Sequence, residues 1–139
     1  TPHVVKEIEG EPMDSVFSEK RYTKVDKSHY DEVAQGMRMA VLGGTCRTAN
    51  MPDIEICGKT GTAQNHGKDH SAFMGFAPLN NPKIAVAVYV ENGGWGATYG
   101  VPIGKLIIEK YINGKLSPDD EALATDIQTR RIDYGIHER

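Results

Sequence analysis

Glu55-Ile56-Cys57-Gly58-Lys59-Thr60-Gly61-Thr62-Ala63-Gln64 crowds a lysine, two threonines and two glycines into its centre, and the fold depends on whether that cluster is a phosphate loop or a strand. Gly-Lys-Thr is how a Walker A loop ends, where backbone amides and a lysine hold an anion. That pattern also needs a glycine five places before Gly58, and the residue there is Asp53, a carboxylate where phosphates would sit. A phosphate loop opens into a helix. Here Lys59 is followed by a β-branched residue, a glycine and a second β-branched residue, which favours extended chain. The stretch 54–64 is therefore expected to be a strand.

Two more strand-like segments follow it closely, at 71–77 and 83–91. The connector Asn65-His66-Gly67-Lys68-Asp69-His70 carries a glycine, and Pro78-Leu79-Asn80-Asn81-Pro82 is a turn cluster. Connections this short cannot hold the crossover that parallel strands need, so the three strands are expected to form an antiparallel meander. Upstream, Tyr30, Val33, Ala34, Met37, Ala40 and Val41 fall at helical spacings, with Ser28 as a cap, Asp31 and Glu32 in the first turn and Gly43-Gly44 as the stop. Downstream of the loop Asn92-Gly93-Gly94-Trp95-Gly96, a second helix is expected from about Tyr99 or Val101 to Ile112, with Pro102 in its first turn, Ile103, Leu106, Ile107 and Tyr111 on one face, and Asn113-Gly114 at its end. Short strands are expected at 3–8 and around Val16 and Phe17. The fold class is thus α+β: a three-stranded antiparallel meander with short N-terminal strands, packed against helices. The residues after Gly114 are charged and poor in large apolar side chains, so the boundary is drawn at 1–113 and 114–139, the latter expected to be a mobile or loosely docked tail.

The 139 residues suffice for one domain with a core, or for part of a larger one. A formal net charge of −3 gives no general attraction for nucleic acid or an anionic membrane. No apolar run approaches the ~20 residues of a membrane span. Cys46 and Cys57 form neither a disulfide framework nor a C-x-x-C metal motif, and are read as free thiols. The chain opens at Thr1 on an apolar alternating run, which reads as the interior of a longer protein.

Taken together, Lys59-Thr60-Gly61-Thr62-Ala63-Gln64, Phe73-Met74-Gly75-Phe76-Ala77-Pro78 and Val90-Glu91-Asn92-Gly93-Gly94, in this order and before a closing helix, resemble the C-terminal part of a penicillin-binding protein transpeptidase domain. Arg47-Thr48-Ala49-Asn50 and Thr1-Pro2-His3-Val4-Val5-Lys6 are similar to the class B, cell-elongation branch usually called penicillin-binding protein 2. The likeness covers roughly 1–113 and implies a partial penicillin-binding/β-lactamase-like fold. It also implies a serine D,D-transpeptidase that cross-links peptidoglycan through an acyl-enzyme. Of the family's three motifs, S-x-x-K, S-x-N and K-T-G, only the last is present; Ser18-Glu19-Lys20-Arg21 has arginine where the first needs lysine. The nucleophilic serine is expected upstream, and this chain alone is expected to be inactive.

What the resemblance implies for the site is specific. Lys59 supplies positive charge to the carboxylate of a stem peptide ending in D-alanyl-D-alanine, or of the β-lactam that imitates it. Thr60 and Thr62 donate hydroxyl hydrogen bonds to the same group. Gly61 lets the substrate backbone approach for β-augmentation, and the backbone N–H of Thr62 forms one side of the oxyanion hole. Expected partners are stem peptides, β-lactams, the upstream part of the same domain and cell-elongation membrane proteins. No cofactor or metal is expected. The location is extracytoplasmic, at the periplasmic face of the bacterial inner membrane, with the anchor upstream. A non-catalytic β-lactam-binding sensor is the alternative.

Other residues have plainer readings. His66, Asp69 and His70 carry metal-ligand chemistry but read as a polar hairpin connector beside the motif strand. Arg47 reads as a surface cation. Trp95 reads as packing over the sheet end, with a sugar-stacking platform as the sharper option. Cys57 shares the strand face of Lys59 by parity, but no histidine is placed to activate it.

Overall fold

The structure is a computed structural model that describes residues 7–11, 13–132 and 134. Its centre is a three-stranded antiparallel sheet in the order β1 (Cys57–Ala63), β2 (His70–Ala77), β3 (Ile84–Val90). The registers are fixed by pairs such as Lys59↔Met74, Thr62↔Ser71 and Phe73↔Val88. The meander is as the connectors require, and β1 has β2 on one side only, so it is an edge of this sheet.

Alternation assigns the two faces. Phe73, Val86 and Val88 point to one face, where Val101 and Ile108 of helix α3 (Gly100–Asn113) complete the core. The Phe73 ring occupies the space that a Cβ would need at Gly58 and Gly75 of the sheet and at Gly104 of α3, so these three glycines let one large side chain lie flat between sheet and helix. Gly114, at φ +73°, ends α3 in the left-handed conformation that suits glycine.

Helix α2 (Lys27–Leu42) packs beside β1. It begins two residues earlier than expected, because Asp26 rather than Ser28 caps it: the Asp26 carboxylate accepts from the Ser28 N–H (2.9 Å) and hydroxyl (2.7 Å). Only the C-terminal part of its apolar stripe meets the sheet. Val41 is buried, while Tyr30 and Val33 are exposed. Two side-chain bonds from Arg38, to the Ile56 carbonyl (2.9 Å) and to Asn50 (3.4 Å), tie the helix to the chain leading into β1.

Three expectations change. Residues 15–18 form a one-turn helix, α1 (Ser15–Ser18), capped by Asp14, instead of a strand around Val16 and Phe17; two apolar residues without a pairing strand gain more from a local turn. Of the strand expected at 3–8, residues 3–6 lie outside the described residues, and Ile8 makes an isolated bridge to Glu11. Residues 118–129, expected within a mobile or loosely docked tail, form helix α4 (Pro118–Thr129), whose Asp120 is buried against α3. Ser117 caps it, Pro118 starts it and Asp119, Asp120 and Glu121 fill its first turn. Its attachment is polar, which is why apolar content gave no sign of it.

Candidate functional site

Lys59, Thr60, Gly61 and Thr62 lie consecutively in the middle of the edge strand. Strand periodicity sends Lys59 to one face and Thr60 and Thr62 to the other, with the free edge between them. Lys59 is exposed, and its Nζ donates to the Thr60 carbonyl at 3.0 Å, which leaves two N–H donors for an incoming anion. Thr62 is exposed. Thr60 is half-buried, and its hydroxyl shares a 2.8 Å hydrogen bond with the hydroxyl of Thr45, just beyond α2. Each hydroxyl can donate once, so the pair retains one donor for a ligand. Antiparallel pairing uses the backbone groups on one side of β1, and no described strand pairs with the other side, which is the edge an extended peptide would join.

The loop after β3 supports this strand from the α3 side. Gly96 lies so close that a Cβ there would be 2.6 Å from the Ala72 carbonyl oxygen and 2.7 Å from that of Gly61. Ser71, opposite Thr62 in the register, donates its hydroxyl to the Trp95 carbonyl (2.8 Å) and accepts the Gly100 N–H (3.0 Å). One buried side chain thereby joins β2, the loop and the start of α3. The Trp95 ring does not pack over the sheet end as the plainer reading had it; the residue is 75% exposed.

The remaining candidates separate. Burial pushes both thiols up, that of Cys46 against the opposing pull of Thr45, Thr60 and Lys59, and that of Cys57 against Arg38, with Glu55 adding to the rise. Both are thus protonated near neutral pH and poorly nucleophilic. His70 accepts the Asn92 N–H at Nδ1 (2.9 Å) and lies against the Tyr89 ring. Among the described residues no three His, Cys, Asp or Glu side chains are grouped to hold a metal. His66 and Arg47 are exposed. A cavity of about 730 Å3 between α3 and α4 is lined by Lys105, Glu109 and Asp120 but by none of residues 59–62. Sequence reasoning missed Thr45, Ser71 and Arg38, because nothing in the chain's periodicity signals a hydroxyl or guanidinium partner far away along it.

Comparison with known proteins agrees with this geometry. Residues 1–109 match the family described as the penicillin binding protein transpeptidase domain. The chain is 28% identical to the peptidoglycan D,D-transpeptidase MrdA of Haemophilus influenzae over 94% of its own length and 23% of that protein's. It therefore spans about a quarter of that relative. Among solved structures, Pseudomonas aeruginosa PBP2 in complex with WCK 5153 superposes with a TM-score of 0.56 at 41% identity, over 68% of this chain and 22% of that one. The ceftriaxone acyl-enzyme complex of penicillin-binding protein A from Mycobacterium tuberculosis gives 0.58 at 32% identity, over 63% and 22%. An edge strand bearing K-T-G at its centre, the α+β meander around it and the family match over residues 1–109 have one common reading: this chain belongs to the penicillin-binding protein transpeptidase domain family.

Proposed function

We propose that this chain is the C-terminal segment of a peptidoglycan D,D-transpeptidase of the cell-elongation type, and that its β1 strand holds the donor stem peptide. The observation that carries the proposal is the exposed Lys59 beside the open backbone edge of Gly61 and Thr62. The terminal carboxylate of the peptide pairs with Lys59 and accepts hydrogen bonds from Thr62 and from the Thr45–Thr60 hydroxyl pair. The peptide backbone adds to the edge of β1, where Gly61 leaves room. The Thr62 N–H stabilises the oxyanion as the penultimate carbonyl is attacked.

The attacking serine comes from an upstream segment. Its oxygen bonds to the carbonyl carbon, the C–N bond to the terminal D-alanine breaks, and the proton lost by the serine reaches the leaving amine. An acceptor amine then displaces the serine from the ester. No helix among the described residues is long and apolar enough to cross a membrane. The peptidoglycan substrate assigns the chain to the outer side of the cytoplasmic membrane, with an anchor upstream and cell-elongation membrane proteins as neighbours.

The test is covalent labelling of the full-length protein by a fluorescent β-lactam, read by intact mass. A single adduct is expected on the full-length protein and none on the 139-residue chain alone. Lys59→Ala is expected to slow labelling about 100-fold, the scale of losing a charge-assisted contact to the substrate anion. A folded full-length protein that takes up no β-lactam overturns the proposal.

A further inference from the structure

We infer that helix α4 positions the Lys59–Thr62 strand through Arg130, which clasps the turn 95–98 that bears on that strand. Arg130 is then a positioning residue for the covalent step, and the inference rests on the transpeptidase reading for its effect on activity.

The strand depends on such support. β1 is an edge, paired only with β2 among the described residues, so its place is set by β2 and by what lies against its faces. On the α3 side that neighbour is Gly96: a Cβ there would be 2.7 Å from the Gly61 carbonyl oxygen, 2.6 Å from that of Ala72 and 2.9 Å from the Thr60 Cβ. At so close an approach, a shift of the turn is felt by the strand. The turn is closed by the Thr98 N–H on the Trp95 carbonyl (2.8 Å), which also accepts the Ser71 hydroxyl (2.8 Å), and the Gly96 carbonyl accepts the Val101 N–H (3.0 Å). These bonds lie within the sheet, the turn and α3. Arg130 adds one from outside them.

The Arg130 guanidinium is itself fixed by three partners. Nη1 donates to the Thr98 carbonyl (2.9 Å), Nε and Nη2 donate to Oδ2 of Asp126 (2.9 and 2.6 Å), and the group lies 5.4 Å from the centre of the Tyr99 ring. An exposed ion pair contributes little stability by itself. Here it aims a rigid planar fork at one carbonyl of the turn.

Helix length brings Arg130 to this place. α3 has 14 residues and α4 has 12, so at about 1.5 Å per residue they run about 21 Å and about 18 Å. The contacts Glu109–Ser117, Lys105–Asp120 and Thr98–Arg130 progress in opposite directions along the two segments, so α4 is antiparallel to α3 and ends beside the turn from which α3 starts. The family match stops at residue 109, before any of α4. A segment outside the matched region thus reaches back to the K-T-G strand.

The consequence falls on one step more than another. In the proposed mechanism the Thr62 N–H acts on the oxyanion, which exists only as the carbonyl is attacked, whereas the Lys59 charge attracts the carboxylate before and during attack. Loosening the turn therefore slows the covalent step more than it weakens binding. Misplacing a reacting group by about 1 Å can cost about 100-fold, and losing one restraint among several costs a part of that.

The experiment follows labelling of the full-length protein by a fluorescent β-lactam across concentrations, taking the rate constant of the fraction that labels so that unfolded protein does not register. Arg130→Ala is expected to lower the rate at saturation about tenfold, with the half-saturating concentration within about twofold of wild type, and Arg130→Lys, which keeps a charge and a donor, to recover most of the loss. Ser117→Ala removes the cap of α4 without touching the turn, and is expected to lower the melting temperature while leaving the rate within about twofold. Hydrogen exchange of segments 57–63 and 95–101, measured without β-lactam, is expected to be several-fold faster in Arg130→Ala. A saturating rate in Arg130→Ala within twofold of wild type overturns the inference, as does equal slowing in Ser117→Ala, which would make the stability of α4 the cause. Unchanged exchange in Arg130→Ala overturns the clasp whether or not the protein labels. A folded wild-type protein that takes up no β-lactam overturns the transpeptidase reading instead, and the exchange result then decides the clasp alone.

Discussion

Gly61 and Gly96 approach each other at the K-T-G strand, and the same added methyl group has different consequences at the two positions. A Cβ on Gly61 would meet only the Ala72 side chain, at 3.3 Å, a contact that a few tenths of an ångström relieves. A Cβ on Gly96 would lie 2.6 Å and 2.7 Å from two backbone carbonyl oxygens, which cannot rotate away. In the full-length protein, Gly61→Ala is expected to leave the melting temperature within a few degrees of wild type while slowing β-lactam labelling at least tenfold, because the methyl group intrudes on the substrate path. Gly96→Ala is expected to lower both. Paired melting and labelling measurements check this, and a Gly61→Ala protein that labels at the wild-type rate would remove Gly61 from the substrate path. At this scale the sequence made Lys59, Thr60, Gly61 and Thr62 legible because they form a contiguous motif. It could not reveal that Thr60 shares its hydroxyl with Thr45, or that Ser71 bridges to Trp95 and Gly100, since these partners are 15, 24 and 29 positions apart.

Among the elements, the three strands and α3 were readable because alternation and helical spacing are imposed by the faces they bury. Helix α4 was not, although Ser117-Pro118-Asp119-Asp120-Glu121 is a helix-start signal; its weak apolar stripe outweighed that signal. Its attachment is a buried polar cluster. Lys105 of α3 pairs with Asp120 at 2.7 Å, and Glu109 accepts the Ser117 N–H at 3.0 Å on one oxygen while the other is buried without a donor. Burial pushes Glu109 up, and the neighbouring Asp120 adds to the rise. Burial also pushes Asp120 up, but hydrogen bonds from Lys105 and Glu109, the Lys105 charge and Ser117 outweigh it and leave this carboxyl below its ordinary value.

The stability that Glu109 contributes is full below its unfolded value of about 4.3 and is lost as pH rises through its raised folded value; that of Asp120 is present above about 3.9 and lost as pH falls. The groups facing this pair are Lys105 on α3, Ser117 at the cap, and Asp53, Lys115, Asp119 and Glu121 around the cavity. Hydrogen exchange of the α4 amides in the full-length protein should therefore lose protection as pH rises above the ordinary glutamate range. Glu109→Gln, a neutral donor at every pH, should hold that protection constant relative to wild type. Equal loss in both proteins would place the titration elsewhere.

Across the whole molecule, the uneven distribution of apolar surface is the main feature. Val33, Met39 and Leu42 of α2 are exposed, as are Met74 and Tyr89 on the sheet face opposite α3. In the proposed full-length protein the upstream part of the domain covers this surface, in keeping with a chain that spans about a quarter of its H. influenzae relative. The 139-residue chain alone is expected to associate with itself, as a dimer or larger. Light scattering checks this, and a monomer persisting at high concentration would count against it. The sequence anticipated this imbalance only in outline, since a helical stripe shows that a surface is apolar without showing how much of it the neighbouring strands will reach.

The Phe73 ring, flat against Gly58, Gly75 and Gly104, ties together the histories of four positions drawn from three elements. None of the three glycines can acquire a side chain by a single neutral step while the ring is in place; once the ring shrinks, alanine fits at Gly104 and, with a few tenths of an ångström from the Met74 carbonyl at 3.2 Å, at Gly58, whereas at Gly75 the Cys57 carbonyl oxygen at 2.7 Å still forbids it. Inheritance at two of these sites is therefore conditional: the residue at 73 decides which replacements at 58 and 104 are open to a descendant, while 75 stays closed by the backbone across the strand. The glycine just before Lys59 is thus kept by the shape of its neighbour across the strands, and a lineage could exchange it without touching the chemistry of the motif, provided that position 73 changed first.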